Sequence, residues 1–175
     1  SLGVEMVELD LSKPFSMARA RNAGFARLRE LRPGLARVQF VDGDCEVVAG
    51  WLEAASAWLD AHPQTVAVCG RRRERYPEKS IYNRLCNLEW NTPVGPAKSC
   101  GGDVLMRADA LAKSGGYNES LIAGEEPELC LRLRAAGGQI DRINAEMTRH
   151  DAAILRFGSW WKRTVRGGYG ALDVY

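Results

Sequence analysis

The sequence has few of the features that mark membrane-spanning, secreted or nucleic-acid-binding proteins. Its 175 residues contain no apolar run long enough for a transmembrane helix. No basic segment followed by an apolar one opens the chain, so we expect no signal peptide. The formal net charge is only +2, which is too small to favour a nucleic acid as partner.

Cysteine is sparse and scattered, and lysine is scarce. No two cysteines lie within four residues of each other, so no CxxC metal or redox pair exists, and reduced thiols in the cytoplasm are expected. The chain has 5 lysines against 19 arginines. Arginine is suited to bidentate binding of phosphate and carboxylate, although a GC-rich genome also explains this excess.

The remaining composition is that of a globular domain. Hydrophobic residues make up 46% of the chain and charged residues 26%, which is typical of soluble proteins. A chain of this length buries roughly 70% of the surface that it exposes when unfolded, so it can form a real core. We therefore expect residues 1–175 to form a single domain.

Strand-like and helix-like segments alternate along the chain. Apolar patterns predict strands over 4–9, 37–41, 65–70, 104–106 and 139–143. Helical spacing, caps and breakers predict helices over 16–31, 48–61, 80–90, 108–113, 125–136 and 153–167. The alternation predicts an α/β domain with a mostly parallel sheet flanked by helices.

Two acidic segments are candidates for chemistry. Asp42 and Asp44 follow a predicted strand, where the ligands of α/β sheets bind, and they could hold a hard divalent cation; a polar turn that caps the next helix is the alternative. Glu125, Glu126 and Glu128 crowd the first turn of a predicted helix. One of them could serve as a general base, although the helix dipole alone also accounts for acids there.

Three further segments admit more than one interpretation. His150 could be a third metal ligand or an ordinary surface or core histidine. The stretch 160–169 contains Trp160, Trp161, Arg163 and Arg166, and it could clamp phosphate and stack on a sugar, lie on anionic lipid, or form a packed helix with a basic side. The arginine-rich run 71–75 indicates a solvated edge or loop, with a phosphate site as the alternative.

Taken in order, the motifs resemble those of the family 2 glycosyltransferases, which have the GT-A fold. The resemblance covers roughly residues 4–170. It is carried by ARNAG at 20–24, VQFVDGD at 38–44, GGDVLMR at 101–107, GGYNE at 115–119 and GEEPEL at 124–129 with Arg132.

The resemblance implies an inverting transfer of a sugar from a nucleotide-diphospho-sugar donor to an acceptor hydroxyl. Polysaccharide or glycolipid synthesis is implied, with a saccharide or lipid-linked acceptor and Mn or Mg as cofactor. Asp44 would bind the metal, Asp42 would contact the donor or a metal-bound water, and His150 would be a further metal ligand. Glu126 matches the catalytic base, but the family has Asp there, so the choice between Glu126 and Glu125 stays open.

Other expected site residues follow from the same resemblance. Arg21 would lie near the nucleotide, and Arg163 and Arg166 near the donor diphosphate. Gly101 and Gly102 would line the acceptor side, with Trp160 and Trp161 stacking on sugar. The C-terminal helix, residues 153–175, would cover the active site or touch the inner face of the membrane.

The family usually begins with a strand, a helix and a strand that bind the nucleobase, and these are expected to precede residue 1. A degenerate domain that binds without catalysis is an alternative function. A sugar nucleotidyltransferase is a second alternative, but the sequence lacks the glycine-rich, lysine-containing phosphate loop typical of such enzymes.

Overall fold

A computed structural model describes residues 3–172 as one mixed α/β layer structure. The six helices are α1 (Met17–Leu31), α2 (Trp51–Ala61), α3 (Ile81–Glu89), α4 (Ala108–Lys113), α5 (Glu125–Ala135) and α6 (Phe157–Leu172). The six strands are β1 (Arg37–Phe40), β2 (Cys45–Val47), β3 (Thr65–Glu74), β4 (Gly95–Pro96), β5 (Val104–Arg107) and β6 (Gln139–His150). No helix among the described residues has the length and apolar character needed to cross a bilayer.

The sheet is mixed, and the prediction that it is mostly parallel is wrong. Its order is β1-β5-β3-β6-β2, with β4 also paired to β6. Only the β3–β6 pair is parallel, while the other four pairings are antiparallel. β1 and β3 both run antiparallel to β5, so they share one direction, and β6 shares it too because it is parallel to β3. A common direction is what helical crossovers between strands predict. The short strands β2, β4 and β5 run the other way and supply the antiparallel pairings.

The predicted helices are all present, and two of them begin at caps visible in the sequence. Ser16 precedes α1 and accepts a hydrogen bond from the Arg19 backbone N–H. Ser80 precedes α3 in the same way and accepts from the Asn83 backbone N–H. A serine oxygen satisfies an N–H that has no partner within the helix, which fixes where each helix starts.

The predicted strand over 4–9 is wrong. Residues 3–10 have no regular structure, and the apolar side chains of Val4 and Met6 are more than 80% exposed. A strand needs a neighbour for its backbone hydrogen bonds, and the described residues offer this segment none in the sheet.

Two strands are longer than predicted, and one of them corrects the interpretation of the arginine run. β3 continues through Arg71 and Arg73 to Glu74, so this run is a strand rather than a loop. Alternate side chains point to opposite faces, and Arg72 pairs with the buried Asp103. β6 likewise continues to His150.

The core lies between the sheet and its helices. All the largest fully buried apolar side chains come from α2, α4, α5 and the strands. They are Trp51, Leu59, Met106, Leu111, Leu129 and Met147. Burial of side chains of this size stabilises the fold by roughly 1.5–3 kcal/mol each. This packing holds the carboxyl end of β1 at the edge of the sheet, where the acidic residues lie.

Candidate active site

A cavity of about 750 Å³ opens beyond the carboxyl end of β1. The start of α1, the turn after β1, the start of α5, the end of β6 and one turn of α6 all contribute to its wall. Its polar lining comprises Ser16, Arg21, Asp42, Asp44, Glu125, His150 and Arg166. Six predicted site residues therefore meet at one opening, together with Ser16 of α1. The six are Arg21, Asp42, Asp44, Glu125, His150 and Arg166.

Asp44 and His150 converge at this cavity. The β2–β6 register places Cys45 opposite His150, so the preceding Asp44 carboxylate reaches the imidazole, with Oδ2 and Nε2 3.2 Å apart. The Asp44 side chain is 57% exposed and that of His150 is 15% exposed. The Nδ1 atom of His150 is buried and makes no hydrogen bond to any described residue.

The donor set at this position fits a divalent cation. One ligand atom each of Asp44, Cys45 and His150 lies within 4.8 Å of the others. A thiol suits soft ions better than Mn²⁺, which prefers oxygen ligands, so Cys45 contributes little to a site for Mn²⁺. A carboxylate and an imidazole remain, which suit Mn²⁺ and similar ions and leave coordination positions open for a ligand.

Asp42 lies outside this metal-binding group. Its carboxylate accepts a hydrogen bond from Arg21 Nη2 at 2.7 Å, and Arg72 Nη2 is 3.7 Å from its other oxygen. Its backbone N–H donates to Asp103 Oδ1 at 2.9 Å. Asp42 therefore organises the turn between β1 and β2 through ion pairs.

Arg21 bridges two acidic residues of the cavity. Its guanidinium donates to Asp42 and to Glu125 Oε1, each at 2.7 Å. Burial opposes the charged form, but the Tyr117 side chain and the two carboxylates outweigh it, so the pKa of Arg21 is raised. With two carboxylate partners, Arg21 holds the α1, β1 and α5 sides of the cavity together.

Glu125 and Glu126 occupy different environments. Glu125 lines the cavity beside Arg21. Glu126 is 3% exposed, and its two oxygens accept from the Cys100 backbone N–H at 2.8 Å and the Gly101 backbone N–H at 3.0 Å. The position that matches the family's base is thus buried under the loop before β5, while its neighbour faces the opening.

Gly101 and Gly102 carry this loop past Asp42. Both have left-handed backbone angles, with φ of +88° and +101°. A Cβ on Gly102 would lie 2.9 Å from Asp42 Oδ2 and 3.3 Å from Arg21 Nη2, whereas one on Gly101 would meet nothing within 4 Å. Gly102 therefore permits the close approach that the Asp42–Arg21 pair needs.

The four predicted residues of α6 are each in a different setting. Arg166 lines the cavity. Arg163 donates to Glu89 Oε2 at 2.8 Å and, with Arg166, lines a neighbouring cavity of about 430 Å³. Trp160 stacks on Tyr82 with ring centroids 6.0 Å apart, and Trp161 is 53% exposed.

Sequence reasoning missed a buried polar network behind the cavity. Asp103 is fully buried and accepts from Thr148 Oγ1 at 2.7 Å, from Arg72 Nε at 3.1 Å and from the Asp42 backbone N–H. Burial alone would raise the pKa of Asp103, but Arg72 and these hydrogen bonds lower it. In the sequence, Asp103 is a single acidic residue directly after two glycines. No periodic pattern marks it as a buried residue.

The comparisons with known proteins identify a fold. No protein-family model matches the chain, and no curated protein matches it. Seventy-six chains of solved structures match. One is a crystal structure of GalNAc-T7 with UDP, GalNAc and Mn²⁺, at a TM-score of 0.50 and 14% identity.

The match covers most of this chain but a smaller part of the other protein. It covers 84% of this chain but 34% of the other, so the chain spans about a third of the length of that protein. At this identity the likeness shows the fold alone, and it does not select family 2. The chain therefore has a glycosyltransferase-like fold of the GT-A type.

Proposed function

We propose that this chain is part of a metal-dependent glycosyltransferase that moves a sugar from a nucleotide-diphospho-sugar to an acceptor hydroxyl. The observation that carries the proposal is the pairing of Asp44 with His150 at a cavity of a glycosyltransferase-like fold. UDP and Mn²⁺ occur together in the similar structure of GalNAc-T7. Family 2 membership and a role in polysaccharide or glycolipid synthesis belong to this proposal.

The residues of the cavity suit a diphosphate leaving group. A divalent cation held by Asp44 and His150 would neutralise the charge that develops on the diphosphate as the glycosidic bond breaks. Arg166 adds a guanidinium to the lining of the same cavity. Arg21 is already paired with two carboxylates, so its role is to position Asp42 and Glu125 rather than to bind phosphate alone.

Glu125 is the carboxylate that we propose as general base. It lines the cavity, and its ion pair with Arg21 fixes its orientation toward the opening. Glu126 is buried and bound to two backbone N–H groups, so we assign it to holding the loop that carries Gly101. A positioned base typically contributes 10²–10⁴-fold to the rate.

The test is release of free nucleoside diphosphate from a panel of sugar nucleotides with Mn²⁺ and simple saccharide acceptors. Asp44→Asn and Glu125→Gln should each lower the rate roughly 100-fold or more. Asp109→Asn is the matched control, because Asp109 is an exposed carboxylate on α4 that pairs with Lys113 away from the cavity. Full turnover in both site variants would overturn the assignment.

The stereochemistry provides a separate test. One base and one metal suffice for a single displacement, which inverts the anomeric centre. NMR of the first-formed product should therefore show inversion. Retention would refute the role of Glu125 as base while leaving the metal-dependent transfer intact.

A binding domain without turnover is the second candidate. It is favoured by the engagement of both Asp42 and Glu125 with Arg21, which leaves neither carboxylate free. Calorimetry with Mn²⁺ and either UDP or inorganic diphosphate discriminates the two functions. Binding without turnover on any donor would support this candidate, and absence of binding would contradict both.

The proposal assigns the residues of the described cavity to the diphosphate and none of them to the nucleobase. UDP and inorganic diphosphate should therefore bind residues 1–175 with similar affinity. A strong preference for UDP would contradict this assignment.

A further inference from the structure

A second group of metal-ligating side chains lies in the core, outside the candidate active site. Cys100, Glu126 and Cys130 each offer one ligand atom, and these atoms all lie within 4.8 Å of one another. All three residues are at most 6% exposed. The Cys130 thiol donates to Glu126 Oε1 at 2.9 Å.

A third thiol adjoins this group. The Cys100 thiol interacts with Cys130 and with Cys69, a fully buried residue of β3, and both contacts together with burial raise the pKa of Cys100. The Cys69 pKa is lowered, first by its hydrogen bond with Cys100 and also by the Arg142 guanidinium. Cys69 therefore adjoins the group, although it is not one of the three residues whose ligand atoms all lie within 4.8 Å of one another.

The local geometry suits shared coordination. Glu126 and Cys130 are four residues apart on α5, so their side chains share one face of the helix. Cys100 comes from the loop before β5, and Cys69 comes from β3. Zn–S bonds of about 2.3 Å and Zn–O bonds of about 2.0–2.2 Å place the ligand atoms of one tetrahedral ion roughly 3.3–3.8 Å apart. The spacing of Cys100, Glu126 and Cys130, at most 4.8 Å, needs only small adjustments to meet this.

Glu126 also lacks the cation that a buried carboxylate usually has. Among residues 3–172 no lysine, arginine or histidine forms a salt bridge with it, and its donors are two backbone N–H groups and a thiol. Isolated buried charges are costly, and in proteins they are paired or coordinate metals. The two backbone donors could remain in place as outer-shell hydrogen bonds to a ligating carboxylate.

We propose that Cys100, Cys130 and Glu126 bind a structural Zn²⁺ ion, and that the adjoining Cys69 moves closer to become the fourth ligand. Thiolate-rich, four-coordinate and closed sites are typical of structural zinc. Coordination releases the thiol protons to solvent as the thiolates bind the ion. This site is separate from Asp44 and His150, and it does not depend on the proposed transferase activity.

Such an ion would tie three elements together directly beneath the active-site loop. It would join β3, the loop that leads into Gly101 and Gly102, and the first turns of α5. That loop packs against Asp42 and Arg21, so the site would stabilise the back of the candidate active site.

Metal content and cobalt spectroscopy test the proposal. Residues 1–175 purified from zinc-supplemented cells should contain one zinc per chain, and refolding with Co²⁺ should give a thiolate-to-cobalt charge-transfer band. Cys100→Ser and Cys130→Ser should lose the band and at least tenfold in zinc affinity. Cys69→Ser should shift the band.

Two other cysteines provide controls. Cys86 is a buried thiol of α3 outside the group, and Cys45 lies beside Asp44. Cys86→Ser and Cys45→Ser should both keep the zinc and the cobalt band, which also separates this site from the one at His150. Because core variants can fail to fold, the wild-type result decides. No zinc and no charge-transfer band in the wild type, or a Cys100–Cys130 disulfide in peptide maps, would overturn the proposal.

Discussion

At the scale of single residues, Asp103 is the buried group on which the turn between β1 and β2 depends. Asp103→Asn removes the charge that balances Arg72, and breaking a buried ion pair costs about 3 kcal/mol. We expect urea unfolding at pH 7 to show this loss. Asp109→Asn, on an exposed pair, should change the free energy of unfolding by about 0.5 kcal/mol or less.

The pH dependence of that variant follows from the lowered pKa of Asp103. A carboxylate whose folded-state pKa lies below its ordinary value of 3.8 contributes stability above that pH and loses it as the pH falls through the folded value. The difference between wild type and Asp103→Asn should therefore be constant from neutral pH to about 4 and shrink below it. A difference that stays constant at lower pH would contradict a charge-based role.

Gly101 and Gly102 offer a matched pair of substitutions at the same scale. Alanine at either position is strained by the left-handed backbone, at about 1–2 kcal/mol each. Only at Gly102 would the new methyl group meet Asp42. Both variants should lose stability, Gly102→Ala more than Gly101→Ala, and only Gly102→Ala should also weaken diphosphate binding in calorimetry, by roughly tenfold. Equal binding by the two variants would show that the Asp42 position does not matter for the ligand.

At the scale of elements, α6 has an unusual exposed face. Phe157, Trp161 and Val165 follow one another at intervals of four residues and are 59%, 53% and 40% exposed. The exposed Lys162 lies beside this stripe. We propose that α6 contacts an anionic membrane surface, since apolar burial and about 1 kcal/mol per basic residue favour this.

Co-sedimentation with vesicles tests that contact. The chain should bind phosphatidylglycerol vesicles, bind phosphatidylcholine vesicles poorly, and dissociate in high salt. Trp161→Ala should weaken the binding, while Leu11→Ala, which removes an exposed apolar side chain outside α6, should not. Binding that ignores salt and Trp161 would contradict the proposal.

The elements also show where sequence patterns suffice. α1 and α3 could be predicted with their first residues because Ser16 and Ser80 cap them locally. The extension of β3 through Arg72 and Arg73 could not be predicted, because these two arginines pair with acidic residues of distant segments. Arg72 pairs with Asp103, and Arg73 pairs with Glu146. β2 and β4 have three and two residues, which is too short for any pattern.

At the scale of the whole molecule, the direction of the strands is what the sequence predicts least well. Alternation of helices and strands predicts the shared direction of β1, β3 and β6, but the insertion of β5 between two of them is a non-local pairing. The candidate site was likewise predictable only where it depends on local sequence. The turn at Asp44 could be identified from the sequence, whereas its contact with His150 depends on the register of β2 and β6. The burial of Glu126 could not be distinguished from the exposure of Glu125 by any local pattern.

The effect of ligands on the melting temperature of the chain follows from the small number of protein ligands at the proposed metal site. Asp44 and His150 supply two ligands, so a metal bound by them alone is weakly held, and a diphosphate would complete its coordination. Mn²⁺ and UDP should therefore raise the melting temperature together by more than the sum of their separate effects. Saturation to about 100 times Kd stabilises a protein by about 2.7 kcal/mol, which corresponds to roughly 5–10 °C for a chain of this size.

Asp44→Asn should abolish this synergy. Mn²⁺ and UDP are coupled only because UDP completes the coordination of the Mn²⁺ ion that Asp44 holds. Asp109→Asn should retain it, since its carboxylate lies on α4 outside the cavity. Strictly additive shifts in the wild type would mean that the two ligands bind independently. In that case the Asp44–His150 pair would not be the place where a donor diphosphate meets its metal.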